Sequence, residues 1–149
     1  MKKYWEIKKL SEVCKLSAGG DVPKDNFSET KTEKYQIPIY ANGEKNDGFY
    51  GYTNLAKITK PSITVSARGT IGFSVKRIEP FFPVVRLIVV TPINLKELSL
   101  DYLDYALRKI DFKQSGSSIP QLTVPMIRDC EIPLPPLPEQ QRIVTILDE

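Results

Sequence analysis

The stretch Ser62-Ile63-Thr64-Val65-Ser66-Ala67-Arg68-Gly69-Thr70-Ile71-Gly72-Phe73-Ser74-Val75-Lys76 reads as two short strands around a turn. Polar and apolar residues alternate over Ser62 to Ser66, pause over a segment with two glycines, and alternate again from Phe73 to Lys76. Successive strand side chains point to opposite faces, so a period of two predicts half-buried strands. Glycine supplies the left-handed backbone that a tight reversal needs.

Upstream, the pattern repeats in shorter form. Ile37 to Tyr40 and Phe49 to Tyr52 are aromatic and β-branched runs separated by Asn42-Gly43 and Asp47-Gly48, two dipeptides suited to turns. Before them, Asp21 to Lys34 is polar with little periodicity and is expected to be an exposed loop. Trp5 to Leu16 mixes apolar spacing with a helical turn near Ser11 and stops at Ala18-Gly19-Gly20.

Downstream, Val84 to Val90 is aliphatic except for Arg86 and predicts a central strand covered on both faces, ended by Pro92. The period then changes: Leu100, Leu103, Leu107 and Ile110 share one helical face. Ser99 is placed as an N-cap, with Asp101 in the first turn and Arg108 and Lys109 at the C-terminal end, each on the favourable side of the helix dipole. Asp111 to Gln121 is polar again. Cys130 to Pro136 forms a stiff extended strip, and Pro138 opens a second helix with Ile143, Val144, Ile146 and Leu147 at helical spacing. The expectation is a mixed α+β domain: a twisted, mainly antiparallel sheet, one well-formed helix near 99–110, and the start of a C-terminal helix. No internal repeat is present.

Composition bounds the function. A chain of 149 residues with 41% hydrophobic content suits one globular domain. It has no run of eighteen apolar residues, and its start lacks the pattern of a signal peptide, so no membrane role and a cytoplasmic location are expected. Cys14 and Cys130 have no metal-ligand spacing and read as reduced, ordinary thiols. The formal charge of +3 is unevenly spread: through Arg77 there are fourteen Lys/Arg against eight Asp/Glu, and from Ile78 onward seven against ten. A basic first half suits a surface facing phosphates, although a mildly basic solvated surface has the same signature.

The absence of histidine removes the commonest general base and metal ligand. There is no dinucleotide glycine fingerprint, no phosphate-binding lysine loop and no cysteine cluster. Leu134-Pro135-Pro136-Leu137 lacks the polar residue and aromatic ring with which amino-methyltransferases hold a flipped base. Asp21, Asp25, Glu44 and Asp47 could be imagined around magnesium, but acids at scattered loop positions are usually solvated. No catalytic residue, metal site or cofactor is expected.

A specific signal comes from several segments taken in order. They are Ile37-Pro38-Ile39-Tyr40-Ala41-Asn42-Gly43, Asp47-Gly48-Phe49 and Val65-Ser66-Ala67-Arg68-Gly69-Thr70-Ile71-Gly72, then Ser118-Ile119-Pro120-Gln121-Leu122 and the run from Ile132-Pro133-Leu134-Pro135-Pro136 through Glu139-Gln140-Gln141-Arg142 to Val144. Together they resemble a target recognition domain of a type I restriction-modification specificity subunit, over essentially the whole chain. The resemblance implies a non-catalytic reader of double-stranded DNA. Such a subunit recognises one half of a split target with each of two domains set apart by long helices. It works with a DNA methyltransferase (modification) subunit, which binds S-adenosylmethionine, and with a restriction and translocase subunit. Residues 1–137 would be the recognition domain, and 138–149 the first turns of a spacer or dimerisation helix. The chain would be an excised piece, a truncated product, or a half-subunit that pairs with a second recognition domain or self-associates through its C-terminal helix.

The residues expected to carry DNA binding sit in loops. Arg68 at the glycine turn could pair with guanine O6/N7 or clamp a phosphate, with the Gly69 backbone and the Thr70 hydroxyl on phosphate; a turn arginine packed on an edge is the plain alternative. Lys45 and Asn46 follow Asn42-Gly43, where a simple hairpin turn is equally plausible. Tyr50 and Tyr52 flank Gly51 on one strand face, with core packing slightly favoured. Lys113, Gln114, Ser115, Ser117 and Ser118 form a polar loop leading to Gln121, and Lys24 and Lys34 lie on the early loop as phosphate candidates. Gln140, Ile143, Val144 and Leu147 are expected to face a partner, because so short a helix is unstable alone. Two other function classes fit the same residues: a protein-interaction scaffold with non-specific DNA contact, and a metal-dependent nuclease.

Overall fold

A computed structural model describes residues 5–112 and 121–148. In chain order come β1 (Glu6–Lys9), a one-turn helix α1 (Leu10–Val13), β2 (Cys14–Ala18), β3 (Ile37–Tyr40), β4 (Phe49–Thr53), β5 (Ser62–Val65), β6 (Ser74–Arg77), β7 (Phe82–Pro83) and β8 (Ile88–Pro92). Helices α2 (Leu100–Arg108) and α3 (Val124–Arg128), strand β9 (Glu131–Leu134) and helix α4 (Leu137–Asp148) complete it. The strands divide among three sheets, ordered β2-β8-β5-β6, β4-β3-β7 and β1-β9. All pairings are antiparallel except β3 with β7.

The expected hairpin forms, with Ser62 opposite Arg77 and Val65 opposite Ser74. β5 is buried at all four positions rather than half-buried. Its apolar residues Ile63 and Val65 join the main core, and its polar face lies beneath the second sheet. There Ser62 Oγ and Thr91 Oγ1 share a hydrogen bond of 2.7 Å, and the Arg77 guanidinium donates from Nε to Thr64 Oγ1 at 3.0 Å while lying 3.6 Å from the Tyr40 ring centroid. Arg77 also donates from Nη2 to the carbonyl of Asp47. Burial lowers its pKa from the usual guanidinium value, opposed by Tyr40 and Asp47. A cation between two sheets is tolerable here because π-face, hydroxyl and carbonyl all meet it.

Val84 to Val90 does not form one strand. The chain leaves β7, reverses at Val85 and Arg86 with φ of 32° and 68°, and enters β8 on the other sheet. Val85 and Arg86 N–H donate to the carbonyls of Gly20 and Gly19, which replaces the ladder bonds a continuous strand would have made. Pro92 ends β8 as expected.

The main core lies between one face of the four-stranded sheet and the helices, with Leu10, Ile63, Val65, Ile88, Val90, Leu103 and Leu107 fully or almost fully buried. Each such side chain contributes roughly 1.5–3 kcal/mol relative to exposure. α2 matches its expected caps: Ser99 Oγ accepts from the Tyr102 N–H at 3.1 Å, Asp101 lies in the first turn and Arg108 in the last. Cys14 is buried, which pushes its thiol up to about 12, and burial also raises that of Cys130. Neither is a thiolate near neutrality, so both act as packing groups.

α4 is docked on its own domain, which corrects the assignment of Gln140 and Val144 to a partner surface. Gln140 is fully buried: its Oε1 accepts from the Ser99 N–H at 2.9 Å, and its Nε2 donates to the carbonyls of Glu97 (2.7 Å) and Pro135 (2.8 Å). Val144 enters the main core, with Ile143 partly buried against it. The amide satisfies orphan groups at the start of α2, a role a solvent-facing glutamine cannot fill. Ile146 and Leu147 remain exposed.

Candidate nucleic-acid interface

Loops far apart in sequence are joined at one end of the two larger sheets. The Asn42 side chain is the joint: its Oδ1 accepts from the Ala67 N–H at 2.8 Å and its Nδ2 donates to the Val85 carbonyl at 3.0 Å. Beside it, the Gly43 N–H donates to Ser66 Oγ at 2.9 Å. These bonds fix the 42–48 turn, the 66–72 turn and the Val85-Arg86 reversal against one another. The early loop joins through the Gly20 to Val84 bridge and the bond from Val85 N–H to the Gly20 carbonyl. A polar side chain that meets two backbone groups from different loops removes freedom that would otherwise be lost on binding.

On this platform, Arg68, Gly69 and Thr70 are all exposed. Gly69 has φ of 71°, with open space where a Cβ would stand, so glycine is required by backbone conformation and leaves room for close approach. Arg68 donates from Nε (3.2 Å) and Nη2 (2.9 Å) to Gln121 Oε1. Two of the expected DNA-binding residues are thus one unit. One edge of the guanidinium is held by the amide, and among the described residues no further hydrogen bond engages its other N–H donors.

Lys45 and Asn46 are exposed on the neighbouring turn, where Asn46 and Asp47 both take left-handed backbone, φ 51° and 55°. Gly48 closes this turn with φ of 82°, and a Cβ there would stand 2.3 Å from the Ala41 carbonyl oxygen. Lys24, in a 3-10 turn (Lys24–Asn26), lines a cleft of about 640 Å³ with Asp25, Asn26 and Val85. Lys34 is exposed with its ammonium 5.3 Å from the Tyr35 ring centroid, and among the described residues no hydrogen bond or ion pair ties it to the loop group. Lys113, Gln114, Ser115, Ser117 and Ser118 lie outside the described residues. Tyr50 is exposed and packs its ring against Phe27, which lies against the second core cluster, while Tyr52 is half-buried and meets Phe49 edge-on.

Sequence reasoning missed two residues of this platform. Arg86 is exposed beside Val85 at the reversal, and its one sequence signal was a charge interrupting an aliphatic run. Asn42 was read only as part of a turn. Asp21 and Asp25 line the same cleft as Lys24, and among the described residues no group of three or more His, Cys, Asp or Glu could hold a metal ion. Nor is any described helix long and apolar enough to cross a membrane.

Comparison with known proteins places this arrangement. Residues 2–149 match the family model of the type I restriction modification DNA specificity domain. Two Mycoplasma pneumoniae proteins assigned as type I specificity subunits are 39% and 37% identical over 98% and 97% of this chain. The chain spans 42% and 39% of their lengths. The HsdS subunit from Thermoanaerobacter tengcongensis has a similar fold, with a TM-score of 0.75 at 22% identity over 99% of this chain and 37% of that one. The type I S subunit from M. genitalium gives 0.72 at 20% identity, over 97% of this chain and 38% of its own. The family match along the whole chain, with the same fold in solved specificity subunits, shows that this protein belongs to the type I restriction-modification DNA specificity family.

Proposed function

We propose that this chain binds double-stranded DNA sequence-specifically through the joined loops, reading one half of a split target without performing chemistry. The observation that carries the reading is the loop platform itself: Arg68, held on one edge by Gln121, stands on a turn pinned by Asn42 to two other loops that present Lys45, Asn46 and Arg86. The guanidinium edge turned away from Gln121 has the donor spacing of guanine O6 and N7, while the lysines suit phosphates. In this reading residues 1–137 form the recognition domain and 138–149 the first turns of a spacer helix. The whole assembly includes a methyltransferase subunit and a restriction and translocase subunit that act where this domain binds.

The spacer helix meets a second recognition domain, or another copy, through what α4 leaves uncovered. Ile146 and Leu147 are exposed, and Leu147 borders an apolar cleft of about 420 Å³ shared with Tyr105, Ile110, Pro133 and Ile143. Fluorescence anisotropy of a labelled duplex near physiological salt tests the DNA reading. Arg68→Ala is expected to weaken binding by roughly 1–3 kcal/mol. Binding unchanged by that substitution transfers the role away from the glycine turn, and no binding at any salt overturns the reading.

A further inference from the structure

At the opposite end of β2 from the loop platform, Lys15, Lys57 and Lys60 line one cleft of about 360 Å³ with Ser17, Thr59 and Thr91. No aspartate or glutamate lines it, and none of the three lysines forms an ion pair among the described residues. Both walls have fixed backbone. Lys15 and Ser17 are held in the β2-β8 ladder opposite Thr91 and Val89, and the 57–60 segment is pinned where Lys57 and Ile58 N–H donate to the Phe81 carbonyl and Phe81 N–H donates back to Ile58. Thr91 Oγ1 is engaged with Ser62, and Ser17 and Thr59 contribute further hydroxyl-bearing side chains to the lining. Three like charges gathered at one cleft, between Ile58, Pro92 and Ile93 and with no acid in its lining, repel one another until an anion occupies it, and the Lys57 ammonium lies 5.6 Å from the Phe82 ring centroid at its edge.

We infer that this cleft holds a backbone phosphate of the same duplex whose bases the loops address, a second anchoring site some distance along the DNA. The inference rests on the DNA reading proposed above. Lys15 lies five residues before Gly20, the residue through which β2 enters the loop platform. At about 3.4 Å per residue that is at most roughly 17 Å, so a duplex laid along β2 would meet both sites about five base pairs apart. The lysines therefore fix register and orientation and carry no base preference.

The test is the salt dependence of DNA binding by the full chain. Lys15→Gln, Lys57→Gln and Lys60→Gln are combined, and Lys8→Gln, Lys96→Gln and Lys109→Gln form a control with the same change in net charge. Neutralising one phosphate contributes about −0.9 to the slope of log K against log salt. The cleft variant is expected to lose about one unit of slope and to keep the wild-type sequence preference, while the control keeps the wild-type slope. All three cleft lysines are exposed, and the single variants Lys15→Gln and Lys60→Gln, each expected to show part of the loss, guard against a folding defect in the triple. A cleft variant with the wild-type slope, or a control with an equal loss, overturns the cleft and leaves the loop reading standing. Absence of DNA binding by the wild-type chain overturns both.

Discussion

Arg68 and Gln121 lie 53 positions apart, yet one guanidinium edge rests on one amide oxygen. The glycine turn announced the arginine because Gly69 and Gly72 punctuate an alternating pattern. Nothing local announced its partner, since a hydrogen bond between distant loops leaves no periodic trace. Arg86 was hidden for another reason. A β-branched residue disfavours positive φ, so Val85 argued for an extended run through the very position where the chain reverses. Thr53 offers a prediction at this scale. Its hydroxyl is fully buried and, among the described residues, has no hydrogen-bond partner. Thr53→Val keeps the shape and removes the unsatisfied group, so it should raise stability by up to about 1 kcal/mol in urea unfolding. A loss of stability would mean that the hydroxyl is satisfied after all.

The elements best read from sequence are those whose signals are local. The β5-β6 hairpin follows from period-two alternation, and α2 from a leucine stripe with Ser99 as cap. The partition into three sheets, the parallel β3-β7 pair and the β1-β9 pair depend on contacts between distant segments, and no spacing encodes them. α4 was legible as a helix but not in its orientation. Its aliphatic residues drew attention, whereas the residue that fixes it is the polar Gln140, bonded to Ser99, Glu97 and Pro135. Gln140→Ala should therefore destabilise the domain by roughly 2–4 kcal/mol, because it strands a buried N–H and two carbonyls. Gln140→Glu should be at least as damaging, since a carboxylate there faces two carbonyl oxygens and loses its hydration. Near wild-type unfolding midpoints for both would return Gln140 to the surface.

For the whole molecule, the sequence-wide charge bias says how many basic residues there are in the first half but not where folding puts them. The basic excess before Arg77 includes both the loop residues Lys24, Lys45 and Arg68 and the separate cluster of Lys15, Lys57 and Lys60. Folding sorts these into a platform of fixed loops and a cleft at the far end of one strand. Reading is assigned to the first and anchoring to the second, and affinity and specificity should separate accordingly under mutation. The direct test is selection from a pool of random duplex DNA by the wild-type chain and Arg68→Ala, near physiological salt, with the bound molecules sequenced. The account predicts a short enriched motif whose mismatches cost roughly 1–3 kcal/mol each, with preference relaxed at one position in the variant. Salt-sensitive binding with no enriched motif would contradict it.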